Sequence, residues 1–401
     1  MRCLICDSEA VIELLNFGMQ PLCNRFPESP NGKEYLHQMI LGQCSTCGLI
    51  QISKPVPSSE LSPRYDWITY NEPEGHLDSL AEIVSKLSGL TQGATILGVS
   101  YKDDSTLRRL EERNFTNIRR LDPAEDLGIF GKKPEIETIQ DRLTPEAANK
   151  IVRRYGHADI VIARHIVEHA HNIRRFMEAL KQLLKPQGYI VFESPDCAQS
   201  LEKLDYSMPW EEHILYFTLE TFQNGMHLDG LTLVHFECYP YPLENSLVGI
   251  LRFQEGVRSS SLSEGTLERE KKRFRAYSEG LPRNRIRYKE FLSNYRQHQG
   301  KIALLGAGHL ACTFINLLEL REYIEFVVDD NPKKQGLLMP GSLLPIRGSK
   351  ALIEEGIKLC LLTVAPESEE KVIQRNRDFI EKGGMFASIF PASKNALRFE
   401  Q

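Results

Sequence analysis

Apolar and polar positions alternate along the middle of the chain in blocks that predict helices and strands in turn. The segment DSLAEIVSKLSGL has helical spacing, TILGV is a short apolar strand, STLRRLEERN is a charged helix, and IRRLDP is a strand that ends in an acid. The segment ADIVIARHIVEHAHNIRRFMEALKQLLKPQGYIVFESPD predicts a strand at 160–163, a histidine-containing loop, a helix at 172–184, a KPQG turn and a strand at 188–193. This order indicates an α/β domain with a parallel sheet, in which sites lie at the carboxyl ends of the strands.

The same alternation starts again at Lys301. The segment KIALLGAGHLACTFINLL predicts a buried strand that continues through GxGxxA into a helix, and EFVVDD ends a second strand about twenty residues later. In a dinucleotide site, Gly306 would form the tight turn, Gly308 would let a phosphate approach, and Asp329 would bind a ribose. The motif also marks folds that hold no dinucleotide, so nicotinamide binding stays one of two alternatives.

A serine-rich stretch and a run of charged residues separate these two regions, and they predict a loop followed by one or two helices. A solvated helix face explains the basic residues of this run better than a diphosphate site does. The 401 residues exceed the size of a single core. We therefore expect four parts, namely a zinc-binding module, an α/β domain, a helical connector and a second α/β domain, at 1–75, 76–255, 256–298 and 299–401.

Two cysteine pairs near the start of the chain have the spacing of metal ligands. They are Cys3 with Cys6 and Cys44 with Cys47, each separated by two residues. This spacing suits a tetrahedral zinc ion, and four thiol ligands leave no open position, so the expected role is structural. The residues between the pairs should form a small strand-rich excursion.

The composition narrows the class of protein. The net charge is −5 and no secretory signal precedes the first cysteine pair, so we expect a cytoplasmic protein without nucleic-acid or membrane partners. Either a monomer or a homodimer is expected.

The aromatic segment YDWITYNEPEGH follows the zinc module, and its Tyr65, Trp67 and Tyr70 either dock that module or reach a ligand.

Several segments together resemble the S-adenosylmethionine-dependent sugar C-methyltransferases, which act on nucleotide-linked keto-deoxysugars. They are LNFGMQPLCNRF, the four cysteines, DIVIARHIVEH, LKPQGYIVFESPD, WEEHILYFT and VVDDNPKKQG. The resemblance implies an α/β fold in three parts: a zinc-binding N-terminal module, a class I methyltransferase-like Rossmann domain and a second, Rossmann-like C-terminal domain. It also implies S-adenosylmethionine and structural Zn²⁺ as cofactors, and a nucleotide-sugar substrate.

The first strand of the middle domain departs from the pattern of that superfamily. LGVSYKDDSTL has Gly98 at the usual acid position and Ser100, Lys102 and Asp104 at glycine positions, where a Cβ obstructs close backbone approach. Asp122 either binds a ribose or caps the turn before Pro123. The resemblance implies cofactor-binding positions at the ends of three strands, which are Gly98, Ser100, Asp122, Ala163 and Arg164.

Methylation at carbon beside a ketone needs a base, and the resemblance places it in WEEHILYFT. His213 is the base candidate, Glu212 is its catalytic neighbour, and His169 is a second active-site histidine. His165 and His171, in the same loop as His169, are expected at the surface. The implied substrate-binding residues are Tyr65, Tyr70, Trp210, which replaces a tyrosine, Gly306, Gly308, Asp329, Asn331 and Lys333.

Three hypotheses follow from these residues. In the first, the protein is a C-methyltransferase with His213 as base and the zinc module closing the site. In the second, it carries out other nucleotide-sugar chemistry with His169 and His213, or uses a nicotinamide in the C-terminal domain. In the third, it only binds its ligand.

Overall fold

Three sheets organise the part of the chain that the computed structural model describes, which is residues 1–62, 64–65, 72–130, 135–226, 231–253 and 262–399. The first sheet is antiparallel and has the order β1-β2-β3-β8. Its strands are β1 (Val11–Pro21), β2 (Leu36–Cys44), β3 (Ile50–Ile52) and β8 (Leu215–Tyr216). The long β1–β2 pair is the excursion that the cysteine spacing predicts, whereas β8 comes from a distant part of the sequence.

The second sheet has six strands in the order β5-β4-β6-β7-β10-β9. The first four strands are parallel, and β10 pairs antiparallel with both β7 and β9. Their bounds are β4 (Thr95–Gly98), β5 (Asn117–Arg120), β6 (Ala158–Arg164), β7 (Leu184–Asp196), β9 (Leu231–Tyr239) and β10 (Asn245–Phe253). The predicted α/β domain with a parallel sheet is confirmed in this region.

Helices cover both faces of this sheet because the strands are apolar on both sides. Ile160 and Ile162 of β6 pack in one core, and Val161 and Ala163 pack in the other. The helices of the first part of the chain are α1 (Ser58–Leu61), α2 (Leu77–Ser85), α3 (Asp104–Glu111), α4 (Ile136–Arg142), α5 (Pro145–Tyr155), α6 (Ile173–Leu183), α7 (Ala198–Glu202) and α8 (Leu219–Gly225). Short 3₁₀ turns lie at Tyr101–Asp103 and Val167–His169.

The strand predicted at 188–193 is longer than the KPQG turn suggests. β7 already begins at Leu184, which pairs with Ala158 of β6 ahead of a register shift. Gln187 takes a φ of +68°, so the KPQG residues form an irregularity within the strand. The expected turn is therefore replaced by a kinked continuation of β7.

The third sheet is parallel and has the order β13-β12-β11-β14-β15. Its strands are β11 (Lys301–Leu305), β12 (Val327–Val328), β13 (Ile346–Arg347), β14 (Ile357–Leu362) and β15 (Met385–Ser388). Its helices are α10 (His309–Leu317), α11 (Ala351–Glu354), α12 (Pro366–Arg375) and α13 (Arg377–Glu381), and a 3₁₀ turn lies at Arg321–Tyr323. The predicted second α/β unit is present.

One helix, α9 (Glu264–His298), forms most of the connector, for which the sequence predicts one or two helices. Phe274 and Tyr277 belong to the same apolar cluster as Leu15 and Leu41 of the first sheet, and that cluster continues into the third sheet. The helix therefore joins the N-terminal and C-terminal parts through one core. Among the described residues, no helix combines the length and the apolar character needed to cross a membrane.

We expect Phe274→Ala to destabilise the junction that α9 makes, because Phe274 is 0 % exposed and its loss leaves a cavity worth about 3 to 5 kcal/mol. The measurement is the thermal unfolding midpoint. Ile286→Ala is the matched control, since Ile286 lies on the same helix and is 57 % exposed. Equal midpoints for the two variants would contradict the packing role of α9.

Candidate active site

The strand order of the middle sheet reverses between β4 and β6, and crevices for ligands lie outside the carboxyl ends of strands at such a switch point. The loop after β4 closes on itself there. The Asp103 carboxylate accepts hydrogen bonds from the backbone N–H groups of Val99 (2.8 Å), Ser100 (2.8 Å) and Arg164 (2.9 Å). The amides that a glycine-rich loop would offer to a ligand are therefore bound to a side chain of the loop itself.

A network of buried charges continues from the end of β6. Arg164 and Glu193 are register partners on β6 and β7, and Arg164 Nε lies 2.5 Å from Glu193 Oε2. The Glu193 carboxylate also contacts His165 Nε2 at 3.1 Å and His76 Nε2 at 3.0 Å, and it accepts a hydrogen bond from Ser246. Since Arg164 also donates to the carbonyl of Lys102, its guanidinium is held from both sides of the crevice.

Electrostatics keep this network ionised. Burial opposes the charge on Glu193, but Arg164 and His165 hold its pKa well below its usual range. Burial likewise disfavours the His165 imidazolium, yet the Glu193 and Glu72 carboxylates raise the pKa of His165 to about 10. His165 also has a φ of +47°, a left-handed conformation that costs energy for a residue with a Cβ. The expectation that His165 lies at the surface is therefore wrong, because its ring is drawn inward to Glu193.

A cavity of about 480 Å³ lies beside this network and between the middle and C-terminal domains. Its walls come from the loops after β4 and β6, the segment before β8, and the first residues of α10 and α12. The lining is rich in carboxylates and imidazoles. The histidines are His165, His169, His213 and His309, and the described carboxylates include Glu72, Glu137, Glu168, Glu212 and Glu244.

The segment that carries Glu212 and His213 is held between two sheets. Its β8 strand pairs Tyr216 with Ile50 of the zinc module, and the amide of Ile52 donates to the Ile214 carbonyl at 2.9 Å. On the other side, the Ile214 amide donates to the carbonyl of Glu168 at 2.7 Å. Backbone hydrogen bonds therefore bring the zinc module, the base candidate and the loop after β6 together.

His213 packs against two other rings. Its ring centroid lies 4.7 Å from that of His169 and 4.9 Å from that of Trp210. Burial, together with the charge of His169, lowers the pKa of His213 well below its usual range. His213 is thus a neutral imidazole at working pH, which is the form a general base requires.

His169 is oriented by a residue that the sequence did not single out. Its Nδ1 lies 2.8 Å from Oε1 of Glu137, a buried residue of α4. Burial opposes the charge on Glu137, but His169 lowers its pKa. Burial and the Glu137 and Glu211 carboxylates raise the pKa of Glu212 well above its usual range, which favours its protonated form. Asn24 of the zinc module donates to Glu212 at 2.8 Å.

The four predicted zinc ligands converge. Cys3 Sγ lies 3.6 Å from Cys47 Sγ, Cys6 Sγ lies 3.6 Å from Cys44 Sγ, and all four sulfurs are within 4.8 Å of one another. A tetrahedral zinc with bonds of about 2.3 Å needs sulfurs roughly 3.8 Å apart, so the set fits the ion. The amide of Thr46 donates to Cys44 Sγ at 3.4 Å, as expected for a thiolate.

The predicted cofactor residues lie at the switch point but do not line the cavity. Ala163 and Arg164 are 0 % and 1 % exposed, and Ser100 caps the turn Tyr101–Asp103. Gly98 faces Leu107, whose Cδ1 would be 2.8 Å from an added Cβ. Asp122 is exposed, and its Oδ1 accepts from the amides of Ala124 and Glu125, which is the turn-capping alternative.

The predicted substrate residues divide between two places. Trp210 lines the cavity and stacks on His309 with centroids 4.5 Å apart. Tyr65 packs on Phe26 and donates to its carbonyl, which is the docking alternative, whereas Tyr70 and Trp67 fall outside the described residues.

In the C-terminal domain, Gly306, Gly308, Asp329, Asn331 and Lys333 do not line the cavity. The Asp329 carboxylate accepts from the Ala307 amide at 3.1 Å and pairs with Lys334 at 2.8 Å. The side chain of Lys334 also donates to the Ala307 carbonyl, and it thus spans the GxGxxA loop. The acid expected to bind a ribose is already engaged.

The sequence did not indicate a place in the cavity for several of its residues, among them Glu72, Glu137, His165 and His309. Glu137 follows no motif, and only the tertiary contact between α4 and the loop after β6 reveals its role. His309 lies inside GAGHLA, a motif whose glycines predict backbone contacts with a ligand and say nothing of this side chain. One signal in the sequence is the local density of histidines, since two of them fall within His165–His169.

S-adenosylmethionine, the methyl donor that the family resemblance implies, does not fit the crevice at the switch point. The described residues there are packed, with Ser100, Asp103, Ala163 and Arg164 each at most 1 % exposed. Lys102 extends over the loop to Glu72, with Nζ 2.9 Å from Oε1. The three glycine positions of the superfamily pattern are occupied by side chains that are bonded within the protein.

Fold and site together define a three-part α/β protein with a four-cysteine module and a histidine-rich cavity between its domains. Family models match each part in order: a zinc binding domain at residues 3–61, a methyltransferase domain at 76–236, and a C-methyltransferase C-terminal domain at 255–391. The chain belongs to the C-methyltransferase family with this domain order. Its middle domain is a class I methyltransferase-like domain.

Among known proteins, the chain is 22 % identical to the C-methyltransferase NovU of Streptomyces niveus, over 97 % of this chain and 95 % of that protein. It also shares 13 % identity, with a TM-score of 0.34, with a 1,6-didemethyltoxoflavin-N1-methyltransferase from Burkholderia thailandensis that holds S-adenosylhomocysteine, over 52 % of this chain and 95 % of the other. A SAM dependent methyltransferase from Aquifex aeolicus gives 16 % identity and a TM-score of 0.28, over 44 % and 93 %. These two scores are too low to support an argument about this chain.

Replacement of Cys44 by serine should remove the metal and loosen β3, because the four-thiol set is then incomplete. Elemental analysis should find about one zinc ion per chain in the unmodified protein and almost none in the variant. Cys238→Ser is the control, since Cys238 lies outside the cluster. Full metal retention in Cys44→Ser would contradict the zinc assignment.

Proposed function

We propose that the protein removes the proton beside the ketone of a nucleotide-linked keto-deoxysugar. The observation that carries this proposal is the geometry of the cavity, in which the ring centroid of His213 lies 4.7 Å from that of His169 and which Glu212 also lines. Such removal is the step that begins methylation at carbon in the family the chain belongs to. The relative NovU supports the carbon as the reacting atom through its name alone.

The roles follow from the state of each side chain. His213 takes the proton, and its lowered pKa keeps it neutral and ready to accept. Burial and its carboxylate neighbours raise the pKa of Glu212, which favours the protonated form, and this form can donate a hydrogen bond to the oxygen on which enolate charge develops. Glu137 is a positioning residue that holds the His169 ring through Nδ1.

The nucleotide end of the substrate belongs against the C-terminal domain. The cavity reaches that domain at His309 and Leu310 of α10 and at Ala365, just before α12. The stacked pair of Trp210 and His309 gives a flat apolar surface where the two domains meet. The alternative of a nicotinamide in the GxGxxA loop has less support, because Lys334 already bridges that loop to Asp329.

His213→Gln should lower the rate of solvent deuterium exchange into the substrate's α position by at least about 100-fold, since glutamine cannot accept the proton. Substrate affinity should change little, and calorimetry measures it. The matched control is His235→Gln, because His235 lies on β9 and does not line the cavity. An exchange rate unchanged by His213→Gln would remove His213 from the mechanism.

The pH dependence of exchange should show the lowered pKa of His213. A base with a lowered pKa stays neutral as the pH falls through 6.5, so its activity persists where an ordinary histidine would lose half. The acid limb of kcat/KM should therefore lie below pH 6.5. A limb centred at or above this value would exclude the lowered pKa.

A further inference from the structure

The crevice at the β4–β6 switch point is the place where a class I methyltransferase-like domain would hold its cofactor, and it is filled here from within. The filling is a set of matched contacts rather than loose packing. Arg164 fills the space between the loop after β4 and the end of β7, with bonds to Lys102 and Glu193. The Glu193 carboxylate in turn lies 3.0 Å from His76 Nε2 and 3.1 Å from His165 Nε2.

Opening this crevice would be costly. If the Arg164 side chain left, the Glu193 carboxylate, which is 0 % exposed, would keep its charge with only the imidazoles and Ser246 near it. Removal of one member of a buried ion pair leaves an uncompensated charge, which proteins tolerate poorly. The network therefore favours the closed crevice over one that admits a ligand.

The loop substitutions point the same way. The three side chains that stand at glycine positions each have a partner: Ser100 Oγ accepts from the Lys102 amide, Lys102 binds Glu72, and Asp104 pairs with Arg120. A glycine-rich loop with a single substitution would not show three such contacts. The conformation of this loop is instead stabilised by its own side chains.

The cavity next to the crevice keeps its proton-transfer groups. His213, His169 and Glu212 line it together with Tyr101 and Lys102 of the loop after β4, and Asn24 of the zinc module donates to Glu212. Burial lowers the pKa of His309 to about 4, so the C-terminal domain contributes a second neutral imidazole to the same cavity. The cavity thus retains proton carriers on both domains while the donor site is lost.

We infer that this family member uses its cavity without a methyl donor and returns a proton to the carbon that His213 deprotonates. This inference rests on the proposed function. The C–H bond beside the ketone breaks, its proton goes to an imidazole nitrogen, and the electron pair moves into the enolate. A proton from an imidazole or from solvent then restores the C–H bond, so the reaction is an enolisation and reprotonation, the chemistry of an epimerase or isomerase, and consumes no oxidant or co-reactant.

The test uses the whole zinc-loaded protein in D₂O with nucleoside-diphosphate 4-keto-6-deoxyhexoses as probes. Mass spectrometry of the recovered sugar measures deuterium beside the ketone, with and without added S-adenosylmethionine. In parallel, calorimetry measures the binding of S-adenosylhomocysteine. Titration with a nucleoside diphosphate is the control that tests whether the cavity of the same preparation binds a nucleotide. His213→Gln supplies the blank for exchange.

The expected result is deuterium incorporation at the same rate with and without S-adenosylmethionine, no mass gain from a methyl group, and no saturable S-adenosylhomocysteine binding up to about 1 mM. Saturable binding, or a methylated product, would overturn the inference and leave the proposed deprotonation standing. Absence of exchange under both conditions would overturn the proposed function and the reprotonation with it, and the binding experiment would still report on the closed crevice.

Discussion

The structure depends on one short backbone pairing, in which residues 214–217 lie between the sheet of the zinc module and the end of β7. Ile50 and Gln51 of β3 pair with Tyr216 and Leu215, while Phe217 bridges to Asp196. Since Glu212 and His213 immediately precede this strip, its hydrogen bonds fix the two side chains relative to the loop after β6. The four thiols next to β3 therefore act at a distance on the position of His213.

A second constraint is the charge on Glu193. A carboxylate that is inaccessible to solvent needs partners, and here a guanidinium, two imidazoles and a hydroxyl supply them. These partners come from β6 and the residue after it, from the segment before α2 and from β10. The network therefore connects these elements at the carboxyl edge of the sheet. The open cavity lies along the same edge, and its walls include Lys102 of the loop after β4 and His165 of the loop after β6.

The features of the fold and of the candidate site that the sequence predicted are those that depend on local residue spacing. Each cysteine pair is two residues apart because a turn presents both thiols to one ion, and the alternation of apolar segments follows from burial of parallel strands on both faces. His213 came from a resemblance in WEEHILYFT, and the cavity brings it beside His169. Glu137 could not be found in this way, because its contact with His169 joins residues 32 positions apart on different elements.

By itself, then, the sequence determined the three-part order, the metal ligands, the α/β units and the loss of the glycines from the loop after β4. Each of these depends on the types and spacing of residues that are close together in the chain. Only the tertiary structure decided what replaced the lost loop. The pairing of Arg164 with Glu193 depends on the register of β6 against β7, and the inward turn of His165 depends on that pairing. Long-range register and the demand that buried charges be matched are properties of the assembled sheet, and no single segment contains them.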